Sequence, residues 1–123
     1  MQIKCGIDII EISRIQESIE DTNGRFLERV YTKSEIDYCE SKSKVKYQHY
    51  AARFAAKEAF FKAISESFPK YDITWKDIEV TNDQNGRPKI NMLSKQIPNV
   101  ESIDISISHC KEYAVASVSV LLK

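Results

Sequence analysis

The sequence predicts an α+β fold: several helices, one of them long and central, packed on a largely antiparallel sheet. Three observations carry this. An alternating strand opens the chain, helical periodicity with capping signals fills residues 13–68, and short β-type runs separated by turn residues fill the rest. The 123 residues fit one compact domain spanning 1–123 with room for a core.

In residues 3–12, Ile3, Cys5, Ile7 and Ile9 share one strand face and Lys4, Gly6 and Asp8 the other. Ser13, with Gln16 three residues on, reads as a capping box that opens a helix ending before the turn pair Asn23-Gly24. Residues 25–30 read as a short helical piece, and Thr32 with Glu35 repeats the box for a helix to about residue 41. The longest helix covers roughly 47–68, rich in Ala, Lys, Glu and Phe, with Pro69 as its stop. Strands follow at 78–81 and 89–92, joined through the Asn85-Gly86 turn, and then at 103–108 and 113–121.

Composition excludes several classes of function. Acidic and basic residues balance at eighteen each, so no global field marks nucleic acid or a membrane surface as a partner. Cys5, Cys39 and Cys110 are scattered without metal-ligand spacing and read as reduced thiols of a cytoplasmic protein. The start lacks the long apolar run of a signal peptide or membrane span, which points to the same compartment.

Two carboxylates stand where the patterns do not put them. Phe54, Phe61 and Phe68 recur every seven residues as an apolar stripe, and Glu58 falls near the middle of it. An acid there is costly unless it is protonated, paired or bound to a cation. Lys62, one turn on, is placed to pair with it. Asp8 sits in a strand otherwise made mainly of isoleucine, a position that disfavours Asp. With no His or Cys cluster beside them, Asp8 and Glu58 suit a hard divalent ion. Magnesium takes one or two carboxylates and shares oxygens with substrate phosphates, and manganese suits the same ligands. Arg53, Lys57 and Lys62 are chemically suited to those phosphates.

Four runs occur in order along the chain: Gly6-Ile7-Asp8-Ile9, Phe54-Ala55-Ala56-Lys57-Glu58-Ala59, Asn85-Gly86-Arg87-Pro88 and Ser106-Ile107-Ser108-His109. Together with Arg25-Phe26, Arg29-Val30-Tyr31-Thr32 and Glu35, they make the chain resemble the holo-acyl-carrier-protein synthases, the small bacterial type of phosphopantetheinyl transferase, over nearly its full length. The resemblance implies the fold of that family and transfer of 4'-phosphopantetheine from coenzyme A to a serine of apo acyl carrier protein, in support of fatty acid biosynthesis. It implies magnesium held by Asp8 and Glu58. Lys62 and His109 then stand near the pyrophosphate, and Glu58, Lys62 and His109 become the catalytic candidates, with Glu58 as the base toward the serine. Arg53, Ser65, Asn85, Gly86, Arg87 and Pro88 fall at coenzyme positions, and Arg14 at a docking position for the acidic carrier. It also implies a homotrimer with sites at subunit interfaces. One departure stands out: Ser65-Glu66-Ser67 occupies a stretch that is commonly glycine-rich in the family. That departure motivates one alternative, a coenzyme A or nucleotide-binding module without transferase activity, and a transferase of broader carrier-domain range is a second.

Overall fold

A computed structural model describes residues 1–66, 73–93 and 97–123. Strand β1 (Gln2–Glu11) leads into helices α1 (Ile12–Glu20), α2 (Arg25–Val30) and α3 (Lys33–Glu40), then the long α4 (Lys46–Ser65). A 3-10 turn (Trp75–Asp77) precedes β2 (Ile78–Asn82), β3 (Pro88–Met92), β4 (Val100–His109) and β5 (Tyr113–Leu122). All the pairings are antiparallel. They divide between a three-stranded sheet ordered β1-β5-β4 and a hairpin of β2 with β3. The last strand is thus the central one, and its Ala114, Ala116, Val118 and Val120 are buried under α4.

Local chemistry sets some element ends and tertiary contacts set others. Thr32 caps α3 as expected, its hydroxyl accepting from Glu35 N–H at 3.3 Å while the Glu35 carboxylate accepts from Thr32 N–H at 2.8 Å. The Ser13–Gln16 box does not form. Helix α1 starts at Ile12 behind Glu11, and Gln16 donates to Glu20 instead. The Ile12 side chain is buried and its N–H donates to the Glu112 carbonyl at 2.9 Å, so the chain between β4 and β5 starts this helix.

The buried face of α4 is not the phenylalanine stripe. Ala51, Ala52, Ala55, Ala56, Ala59 and Ala63 face inward with Tyr50, Phe60 and Ile64, while Phe54 and Phe61 are only partly buried. Phe68 and Pro69 lie outside the described residues. Small side chains are needed because the helix lies almost on β1. A Cβ on Gly6 would overlap the Ala59 carbonyl and stand 2.8 Å from Ala63 N.

That close approach also decides which face of β1 turns inward. Its face toward α4 carries Lys4, Gly6, Asp8 and Ile10, whereas Ile3, Ile7 and Ile9 point outward at 70, 63 and 63% exposure. Three β-branched side chains at those positions could not admit a helix at this distance. Among the described residues no helix is long and apolar enough to cross a membrane.

Candidate functional site

Because β1 turns its polar face inward, Asp8 meets the solvent-side edge of α4. Lys62 Nζ donates to Asp8 Oδ1 and to the Ile7 carbonyl, both at 3.1 Å. The expected pairing of Lys62 with Glu58 gives way to this one, since the strand presents a carboxylate and a carbonyl together. Asp8 keeps 17% of its side chain exposed and Lys62 56%, so the pair lies at an open rim. Glu58 stands beside it, half-buried. Burial raises its carboxyl above the ordinary range and the Asp8 charge adds to that, while the Trp75 indole and Lys62 oppose it. The indole N–H is itself buried and completes no hydrogen bond of ordinary geometry with the described residues. A cavity of about 290 Å³ opens here, lined by Glu58, Phe61, Ile73, Thr74 and Trp75.

These residues fit a hard dication. Two oxygen-bearing acids repel each other in a partly desolvated place, and a divalent charge between them would relieve both penalties. No three groups drawn from His, Cys, Asp and Glu gather anywhere among the described residues, so protein atoms alone would not fill such an ion's shell. Waters and substrate oxygens would complete it, as is usual for magnesium.

The opposite flank of α4 is cationic. Odd-numbered residues of β4 turn toward the helix, so His109 follows Ile103, Ile105 and Ile107 and leaves Ser106 and Ser108 on the far face. His109 meets His49 of α4 edge to face, with ring centres 6.1 Å apart. Arg53, 4% exposed, donates to Asn82 Oδ1 at 2.7 Å and lies 4.0 Å over the Tyr38 ring. Its Nε is buried without a partner among the described residues. With Gly86 and Pro88 these side chains line a cavity of about 240 Å³. The hairpin loop reaches it because the Asp83 carboxylate accepts from Asn85 and Arg87 N–H, and Gly86 takes φ +83°.

The structure therefore brings together Asp8, Glu58 and Lys62, and separately Arg53, Gly86, Pro88 and His109. Asp8 pairs across β5 with Ala116, and Ala116 pairs with Ile107 of β4. Two strand spacings, about 10 Å, separate the flanks, with α4 lying over the strand between them. Within one chain His109 is thus set apart from Lys62. Arg87 lines a different depression with Asp104, Ser106, Ser117 and Ser119. Asn85 is exposed at the loop tip. Ser65 donates back to the Lys62 carbonyl at 3.1 Å, and Glu66 reaches Lys4 at 3.9 Å. Ser67 lies outside the described residues. Arg14 is exposed on α1.

Lys57 is the correction among the predicted phosphate bases. It is fully buried, and Nζ donates to Glu35 Oε1, the Val30 carbonyl and the Trp75 carbonyl at 2.7, 2.7 and 2.8 Å. All three ammonium protons are spent inside the protein. Glu35 in turn accepts from Thr32 and Val80 N–H. The pair ties α3, α4, β2 and the Trp75 turn into one unit. Sequence reasoning missed Trp75, His49, Asn82 and Tyr38. The signal available was modest: Trp75 is the single tryptophan, and His49 and His109 are the only two histidines.

Residues 4–118 match the family model of the 4'-phosphopantetheinyl transferase superfamily. A holo-[acyl-carrier-protein] synthase of Protochlamydia amoebophila is 46% identical over 118 residues, which cover 94% of this chain and 95% of the relative. The Ruminiclostridium cellulolyticum enzyme of the same name is 43% identical over 121 residues, covering 94 and 90%. Among solved structures, the Chronobacterium ammoniagenes ACPS–CoA complex superposes with a TM-score of 0.86 at 26% identity, covering 100 and 99%. The Bacillus anthracis synthase, in complex with CoA (3',5'-ADP), gives 0.77 at 34% identity, covering 98 and 96%.

Proposed function

The chain belongs to the 4'-phosphopantetheinyl transferase superfamily, and from that premise we propose that it is a holo-[acyl-carrier-protein] synthase. It transfers 4'-phosphopantetheine from coenzyme A to a serine of apo acyl carrier protein and releases adenosine 3',5'-bisphosphate, in support of fatty acid biosynthesis. The observation that carries this reading is the convergence of Asp8, Glu58 and Lys62 on one rim of α4.

The serine oxygen attacks the phosphorus that bears the pantetheine arm. The bond from that phosphorus to the oxygen of the leaving bisphosphate breaks, and the serine proton goes to a base. Glu58 fits that role, because burial and Asp8 raise its proton affinity toward the working range. Lys62 is exposed enough to exchange Asp8 for a pyrophosphate oxygen and to neutralise the charge that builds there. Asp8 and Glu58 would hold magnesium, or manganese, which supplies Lewis-acid neutralisation of the pyrophosphate when bound. The aromatic wall of Phe61 and Trp75 limits water on one side of Glu58.

The cationic flank fits a further phosphate of the same coenzyme through Arg53, His109 and the 86–88 loop. Two half-sites on opposite flanks of one helix become one site when a second chain abuts the first. The exposed isoleucines of β1, with Tyr113 at 43% exposure, are an apolar sheet face of the kind that subunits cover. The enzyme is accordingly a homotrimer with sites between subunits, each chain contributing the single domain 1–123. Arg14, with Arg25, Arg29 and Lys33 nearby in sequence, offers a basic docking surface for an acidic carrier. Three free thiols, two of them exposed, suit a reducing cytoplasm.

The test is direct. Incubated with apo acyl carrier protein, coenzyme A and magnesium, the protein adds one phosphopantetheine mass to the carrier. Coenzyme binding without that gain replaces the transferase with the binding-module reading, and a gain that survives excess chelator removes the metal. Equal activity on carrier domains of peptide or polyketide synthases would mark the broader range.

A further inference from the structure

We propose that His49 is a phosphate-binding residue of the pocket on the β4 flank of α4, taking up a proton as a phosphate group enters beside Arg53 and His109. The proposal rests on the coenzyme reading above and adds a residue and a proton to it.

The pocket is built before any ligand arrives. Arg53 is held on one edge by Asn82 and on one face by Tyr38, and its Nε remains a buried donor with no partner among the described residues. An arginine fixed in this way presents spare N–H groups to a planar or tetrahedral oxyanion. Among the described residues no carboxylate lines the cavity, so an entering anion meets no like charge from them. His49 completes the ring of donors, edge-on to His109 at 6.1 Å and to Tyr38 at 5.6 Å.

The groups facing His49 come from every element around it. Tyr38 and Lys42 stand on the α3 side, Arg53 lies one turn along α4, and His109 reaches across from β4. Burial is the main influence that lowers the His49 pKa from its ordinary value, followed by Arg53, Lys42 and His109. At neutral pH without an anion the ring is therefore neutral. A phosphate among the same cations cancels their repulsion, so the imidazole binds a proton as the ligand binds. By linkage, affinity for the phosphate then rises as pH falls toward 6, and product release is easier on the alkaline side.

The experiment is calorimetric titration of coenzyme A into wild type, His49→Phe and His49→Gln, in buffers of different ionisation enthalpy across pH 6.0–8.0. Phe keeps the ring contacts without a proton, and Gln keeps a donor that does not titrate. Wild type should take up more of a proton per coenzyme bound than either variant. Its affinity relative to each variant should rise about three- to tenfold from pH 8.0 to 6.0. The phosphate's own ionisation is common to all three proteins and cancels in that ratio. Equal proton uptake with a flat ratio overturns the role of His49 and leaves the coenzyme reading standing. Absence of coenzyme binding by wild type at every pH overturns the coenzyme reading itself, and this proposal with it.

Discussion

Lys57 and Lys62 lie little more than one turn apart on the same helix, each pairs with a carboxylate from elsewhere in the chain, and the two pairs do opposite work. The Lys57–Glu35 pair is 0% exposed on both sides, 2.7 Å long and saturated by carbonyls and amides. The Lys62–Asp8 pair is 3.1 Å long, open to solvent and leaves one ammonium proton to spare. A buried cation with every proton committed can only hold the fold, because exchanging any partner would strand a charge in a low-dielectric place. An exposed one exchanges its partner at little cost. The difference between a locked ion pair and an exchangeable one here is how many other acceptors surround it, and how much water.

Four variants test that contrast. Lys57→Met should have the largest effect on stability, since it strands Glu35 and the Val30 and Trp75 carbonyls. A loss of about 3–5 kcal/mol is expected, read from denaturant midpoints. If Lys57→Met unfolds at the wild-type midpoint yet loses activity, the division between the two lysines is wrong. Lys62→Met should leave the midpoint within about 0.5 kcal/mol while turnover falls roughly 10²–10³-fold.

Glu58→Gln should lower turnover by about 10²–10⁴-fold if Glu58 is the base. Full activity together with retained magnesium affinity would end that assignment. The same variant makes a smaller prediction about stability. Burial and Asp8 raise the Glu58 carboxyl, so the folded state disfavours its ionisation. The penalty is absent below the unfolded value of about 4.3, builds as pH rises from there, and is complete above the raised folded value. Without metal, Glu58→Gln should therefore melt about 1–3 °C above wild type at pH 7.5, and level with it at pH 4. Added magnesium should close the gap by stabilising wild type alone. The smallest effect belongs to Arg14→Glu, which should slow carrier capture, visible as a raised KM for the carrier at low salt, without altering coenzyme affinity.

Much of the fold was legible in residues 1–123. The α3 box at Thr32 and Glu35, the Asn85-Gly86 turn and the order of helices and strands followed from local chemistry that needs no neighbours. The acidic pair was legible too, because Asp8 in an isoleucine-rich strand and Glu58 in an aromatic helix each break a local rule. Periodicity misled where it met packing distance. The phenylalanines of α4 read as its apolar stripe, yet the core formed on Gly6 and the alanines, which let backbone approach backbone.

By itself the sequence determined the class of fold, the family, and which acids and bases were candidates for chemistry. Those depend on residue type and spacing along one chain. Tertiary structure alone decided which lysine faces water, which face of β1 meets the helix, and that Asp8 and His109 lie on opposite flanks of α4. Each of these depends on the distance between segments far apart in sequence, here set by how closely a glycine and a row of alanines allow a helix to lie on a sheet.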